Sequence, residues 1–153
     1  MVVETHTILV VEDARAIRRV TNRILTEEGY RVLEAGDAEE ALEIVRMSMA
    51  SIDLLLLDVV LPDMHGIRLY MEISARRAGI PALFMSAYPA EVLAASGHEY
   101  LTAPFLGKPF TREELVTKVG EAIERRGIPR DLTEGEVASS EKGTDDNQVE
   151  RGG

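Results

Sequence analysis

Apolar positions along the chain fall into two alternating patterns. Short, nearly unbroken apolar runs occupy residues 8–11, 54–57 and 82–85, with one interrupted by Arg31 over 30–34 and a weaker one around 101–106. Such runs have no polar face to offer water, so they read as strands of a sheet covered on both sides. The segments between them have helical spacing. Ala16, Val20, Ile24 and Leu25 mark the first, Ala38, Ala41, Leu42 and Val45 the second, and Ile67, Tyr70, Met71 and Ser74 the third. Asp37 stands at an N-cap position with Glu40 completing a capping box, and Gly66 opens the third helix. A short fourth helix is expected over 89–95, with Pro89 at its start. The fifth begins at a capping box of Thr111 and Glu114 and turns Leu115, Val119, Ala122 and Ile123 towards a core. Five strand–helix repeats imply right-handed crossovers and an α/β fold: a doubly wound, five-stranded parallel sheet with five helices on its two faces.

That topology collects chemistry at one edge, because ligands of doubly wound sheets sit beyond the carboxyl ends of the strands. The residues there are Glu12 and Asp13 after the first strand, Asp58 after the third, Ser86 after the fourth, and Lys108 with Pro109 after the fifth. Three carboxylates crowded at a dry edge raise each other's proton affinity. A hard divalent cation removes that penalty, and Mg²⁺ fits oxygen ligands while keeping waters and a phosphate oxygen. Asp58 can then act as a carboxylate nucleophile towards a phosphoryl donor and form an acyl phosphate. Lys108, the Ser86 hydroxyl and backbone N–H groups after Asp58 are placed to meet the phosphoryl oxygens.

Charge and composition narrow the classes. A net charge of −10 argues against direct nucleic-acid binding, and the lack of cysteine excludes disulfides and thiolate chemistry. The N-terminus lacks the pattern of a signal peptide, and no apolar stretch is long enough to span a bilayer, so a cytoplasmic protein without membrane contact is expected. Residues 6–126 read as one domain after a lead-in at 1–5. Residues 127–153 carry seven acids against three bases and almost no large apolar side chains, and are expected to be disordered. His6, His65 and His98 are isolated, His65 reading as loop filler and Asp63 as a turn residue after Pro62.

The four edge motifs resemble the receiver domain of two-component response regulators: Val10-Val11-Glu12-Asp13, residues 56–66 from Leu56-Leu57-Asp58 to His65-Gly66, Phe84-Met85-Ser86-Ala87, and residues 105–110 around Lys108-Pro109. The resemblance spans residues 6–126. It implies a flavodoxin-like sheet in the order 2-1-3-4-5, with Asp58 as phosphoacceptor and Mg²⁺ held by Glu12, Asp13, Asp58 and the Val60 carbonyl. It further implies Ser86 as the switch hydroxyl, Phe105 as the switch aromatic and Lys108 as the phosphate-contacting lysine, with a cis peptide before Pro109. The implied partners are a sensor histidine kinase or histidine phosphotransfer protein and a downstream protein target, with the chain a monomer or weak dimer. The acidic tail is too short for a DNA-binding effector domain. The chain therefore reads either as a single-domain regulator or as the terminal receiver of a hybrid sensor kinase.

Some positions depart from the commonest family pattern. Glu12 stands for the usual first Asp, Ser86 for Thr, and Phe105 for Tyr or His, while Ala87 keeps access open. Val60 and Tyr88 hold the two positions that tune attack by water in this family, and an apolar Val60 predicts slow self-dephosphorylation. Two other functions use similar residues. A Mg²⁺-dependent phosphatase of the haloacid dehalogenase type needs a second acid two residues after the nucleophile, where this chain has Val60. A degenerate receiver that only docks partners would lack part of the site, and no part is missing.

Overall fold

The computed structural model describes residues 5–49, 51–88 and 104–126. Five short strands, β1 (Thr7–Val11), β2 (Arg31–Ala35), β3 (Leu54–Asp58), β4 (Ala82–Ser86) and β5 (Phe105–Gly107), pair in parallel in the order β2-β1-β3-β4-β5. Four helices are described: α1 (Arg15–Glu27), α2 (Ala38–Met47), α3 (Gly66–Arg76) and α4 (Arg112–Arg126). The last is the helix predicted as the fifth. The helix predicted over 89–95 and the start of the predicted fifth strand, 101–103, lie outside the described residues, as do 1–5 apart from Thr5 and the tail from 127.

The two-residue period of a strand explains how one apolar run serves two cores. Leu9, Val11, Leu55 and Leu57 point to the face covered by α2 and α3, where they meet Ala41, Val45, Leu69 and Ile73. Ile8, Val10, Leu54 and Leu56 point to the other face and meet Leu25 of α1 with Leu115 and Val119 of α4. All eight strand residues are fully buried. The register sets the height of the strand ends: Val11 is level with Leu57, and Asp58 with Met85.

Helix ends follow local chemistry. The Asp37 carboxylate accepts the Glu40 N–H at 2.8 Å, while Glu40 reaches one residue further back than a standard capping box, to the Gly36 N–H at 2.7 Å. Thr111 and Glu114 form the reciprocal box at 3.1 and 2.8 Å. Gly29, at φ +99°, takes the left-handed turn that ends α1 and lets the Tyr30 N–H return to the Leu25 carbonyl.

The predicted helix faces hold on α2 and α4 and need correction elsewhere. On α1, Val20 is 55% exposed and Ala16 is also exposed, whereas Thr21 shares the buried face with Leu25. On α3, Met71 is exposed, and Leu69 and Ile73 join Ile67 in the core. Helical spacing gives the period of a face but not its roll about the axis, which the entry loop and the sheet beneath decide.

Candidate functional site

β3 ends on a carboxylate because the apolar run stops at Asp58, which remains only 5% exposed. Its Oδ1 accepts the Val60 N–H at 3.0 Å and its Oδ2 accepts Lys108 Nζ at 2.7 Å. Lys108 reaches this edge from the turn after β5, where its N–H donates to the Ser86 carbonyl at 2.8 Å and a cis peptide leads into Pro109. The same ammonium lies 2.5 Å from Glu12 Oε1. That contact is an ion pair by distance without hydrogen-bond alignment, so Oε1 is buried with no aligned donor.

Glu12 follows β1 and is fully buried. Its Oε2 accepts the Ala14 N–H at 3.1 Å, and its own carbonyl accepts Arg18 Nη1 of α1 at 2.7 Å. Arg18 is held in turn by Glu34 of β2 at 3.1 Å, with Asn22 on the same carboxylate. Burial pushes the Glu12 carboxyl up to about 7; the Lys108 contact opposes this, and the neighbouring Asp58 adds to it. Burial works against the charged Lys108 ammonium as well, but its bond to Asp58, its close contact with Glu12 and the charges of both outweigh it and hold its pKa above the ordinary value.

Asp13 is exposed beside this pair. Ligand oxygens of Glu12, Asp13 and Asp58 lie within 4.8 Å of one another, the separation at which one cation can bridge them. Asp13 does not cap α1, since Ala14 is the N-cap and no side chain caps that helix. An all-oxygen donor set that includes a buried carboxylate oxygen without an aligned donor fits a hard divalent ion such as Mg²⁺.

The loop after β3 is pinned on both sides. A Cβ built on Gly66 would fall 2.1 Å from the Asp58 carbonyl oxygen and 2.9 Å from Val59 Cα, so the backbone can pass here only without a side chain. The Gly66 N–H donates to the Val59 carbonyl at 2.7 Å within a bridge between Val60 and His65, a hydrogen bond that does not use the Val60 carbonyl. Gly66→Ala should therefore lower stability by about 1–3 kcal/mol, as overpacking against backbone does. Urea denaturation checks this, and an unchanged midpoint would contradict the close approach.

His65, read as loop filler, and Asp63, read as a turn residue, have further roles. His65 is the N-cap of α3, its Nδ1 accepting the Ile67 N–H at 3.3 Å. Asp63 accepts the N–H groups of Ala38 and Glu39, both at 2.9 Å, tying the acceptor loop to the start of α2. The Ala38 bond does most to hold its carboxyl below the usual carboxylate range; burial opposes it, and the Glu39 bond adds to the lowering. A depressed folded pKa gives stability that is full above the unfolded value and lost as pH falls through the folded one. Asp63→Ala should reduce stability by about 1 kcal/mol near neutral pH, with the difference shrinking on acidification. A pH series of thermal melts tests both parts.

Ser86 is buried and its Oγ accepts the Tyr88 N–H at 3.0 Å, leaving the hydroxyl proton available. Phe105 is half-buried against the α2/α3 core, next to an edge-on contact of Tyr70 with Phe84. An apolar groove of about 270 Å³ between α1 and residues 108–110 opens beside Lys108.

Comparison with known proteins places this geometry among relatives. The family model described as the response regulator receiver domain matches residues 8–120. Over 120 residues the chain is 36% identical to the sensor kinase CckA of Brucella abortus, covering 78% of this chain and 13% of that protein. It is 33% identical to the transcriptional regulatory protein YcbL of Bacillus subtilis, of which it spans 50%. Among solved structures, a receiver domain protein from Methanospirillum hungatei superposes with a TM-score of 0.72 at 27% identity, covering 81% of this chain and 98% of that one. The receiver domain of the hybrid histidine kinase CckA superposes at 0.65 and 36% identity, covering 76% and 98%. The chain thus spans half or less of these two curated relatives and nearly the whole of isolated receiver domains.

Proposed function

Because the chain belongs to the response regulator receiver domain family, whose general function is to accept a phosphoryl group on an aspartate, we propose that Asp58 is the acceptor here and that residues 6–126 work as a phosphorylation switch. The observation that carries this reading is the buried Asp58 carboxylate with Lys108 Nζ at 2.7 Å and two further acids at bridging distance. An Asp58 carboxylate oxygen attacks the donor phosphorus, a C–O–P linkage forms, and the bond to the donor's leaving group breaks with its electron pair. Lys108, already held above its ordinary pKa, stays cationic at neutral pH and follows the transferred oxygens. The Ser86 hydroxyl donates to one of them. Glu12, Asp13, Asp58 and the Val60 carbonyl would hold Mg²⁺. When bound, that ion supplies charge neutralisation for the phosphoryl oxygens. Phe105 and Ser86 would couple the modified site to the far surface.

The donor is a histidine kinase or phosphotransfer protein, and the groove beside Lys108 lies where a donor surface must approach. The chain is then a stoichiometric acceptor in the cytoplasm rather than a turnover enzyme. Incubation with acetyl phosphate and Mg²⁺ should add one phosphoryl group per chain, with little addition in EDTA. Sustained turnover of p-nitrophenyl phosphate would instead favour a phosphatase. Val60 and Tyr88 are each more than half exposed over the site, and the Val60 side chain has no group to orient water. The adduct should therefore persist, and decay within seconds would contradict that role.

A further inference from the structure

Of the four arginines on α1, three are exposed and one is not. Arg15, Arg19 and Arg23 stand in solvent, whereas the Arg18 side chain is only 19% exposed and reaches towards β2. Its Nη1 donates to the Glu12 carbonyl at 2.7 Å and its Nε to Glu34 Oε1 at 3.1 Å. Asn22 donates to the other Glu34 oxygen, and the Thr26 hydroxyl donates to Asn22 Oδ1 at 2.8 Å. Arg18, Asn22 and Thr26 are four residues apart, so one face of α1 carries the whole ladder. Gly36 leaves room for the guanidinium, since a Cβ there would lie 3.3 Å from Arg18 Nη1. A surface ion pair would need none of this support.

The carbonyl that Arg18 holds belongs to the peptide joining Glu12 to Asp13, the two adjacent acids of the proposed Mg²⁺ site. That peptide is planar, so fixing its oxygen limits rotation on both sides, about ψ of Glu12 and φ of Asp13. The Glu12 N–H is fixed as well, by the Ala35 carbonyl of β2 at 3.1 Å. The Glu12 carboxylate has a tie of its own, from Oε2 to the Ala14 N–H. Asp13 is exposed and caps no helix, so the direction of its carboxylate depends on this peptide. Groups that hold metal ligands in place typically contribute about 10–100-fold to affinity.

We propose that Arg18 is a positioning residue for the Glu12–Asp13 pair and strengthens Mg²⁺ binding through it, without touching the ion. This rests on the metal site proposed above, and Mg²⁺ titration of the full chain without a phosphoryl donor tests the two separately. The amide shifts of Ala14 and Val60 report the site itself. Arg18→Met should raise the half-saturating Mg²⁺ concentration about tenfold or more. Charge alone predicts the opposite sign, because removing a cation beside a cation site favours Mg²⁺. Arg18→Lys keeps the charge, but an ammonium lacks the fork that meets the Glu12 carbonyl and Glu34 together, so it should weaken binding too. In labelling by acetyl phosphate, both variants should need more Mg²⁺ for the half-maximal rate and approach the wild-type rate at saturation. Unchanged or tighter binding by Arg18→Met, or wild-type binding by Arg18→Lys, would overturn the positioning role while leaving the metal site in place. Should Arg18→Met fail to fold, Arg18→Lys decides by the same criterion. A wild type without a saturable shift at these amides would remove the metal site, and the role of Arg18 with it. Dispersed amide signals from α3 and β4 report that each fold is intact.

Discussion

Asp58→Asn should eliminate phosphoryl labelling completely while leaving the fold in place. An amide oxygen is a poor nucleophile and cannot yield a stable acyl phosphate, so the reaction loses its acceptor and not merely a contributor to rate. The shape is otherwise conserved. The amide oxygen can keep one of the two native partners, the Val60 N–H or Lys108 Nζ, while the amide NH₂ faces the other donor. One of the charges that raises the Glu12 pKa disappears, and Lys108 keeps Glu12 as a counter-ion at 2.5 Å. Relief of that charge offsets the lost acceptor, so the metal-free variant should stay folded with a thermal midpoint close to that of the wild type. Intact mass after acetyl phosphate and Mg²⁺ should show one adduct on the wild type and none on the variant. Labelling of the variant would remove Asp58 from the acceptor role.

Lys108→Met should have the largest effect on stability as well as on labelling. The ammonium, 15% exposed at its side chain, is the shared counter-ion of Asp58 at 2.7 Å and Glu12 at 2.5 Å. Removing one member of a buried ion pair leaves uncompensated charge, and about 3 kcal/mol of destabilisation is expected for a cluster that keeps some contact with water. The pH dependence has a definite sign. Glu12 has a folded pKa of about 7 against 4.5 unfolded, so the folded state holds its proton more tightly. Its ionisation therefore weakens the metal-free fold progressively as pH rises from about 4.5 to about 7, and the effect is absent below that window. Lys108 opposes this loss in the wild type. Without it, the destabilisation measured by urea at pH 8 should exceed that at pH 5, and Mg²⁺ should recover part of it. Equal destabilisation at both values, with no response to Mg²⁺, would mean that Lys108 acts only through packing.

The strands were legible in the sequence because a buried parallel strand has no polar face to disguise it; the runs at 8–11 and 54–57 fall inside β1 and β3. The placement of all five candidate site positions at one edge was legible for a related reason. Glu12, Asp13, Asp58 and Lys108 each follow an apolar run, and topology alone sends strand ends to one edge. Ser86 sits in the same place, but its hydroxyl faces the Tyr88 N–H, a local turn contact that spacing does not reveal. What stayed hidden depends on approaches between distant segments. Asp63 caps α2 across 24 and 25 residues, and the need for glycine at 66 arises only because the returning loop touches the Asp58 carbonyl. The α1 face was misjudged for another reason. An apolar stripe shows that something is to be covered, yet Val20 and Ala16 border an open groove and are not covered by this chain's described residues.

The most direct test of the account is the position of the phosphoryl group itself. Labelled protein can be reduced with borohydride, which converts an aspartyl phosphate to homoserine, and then mapped by peptide mass spectrometry. The account requires homoserine at position 58 and at no other carboxylate. Homoserine at Asp13 or Asp63, or a derivative of Glu12 in its place, would contradict it.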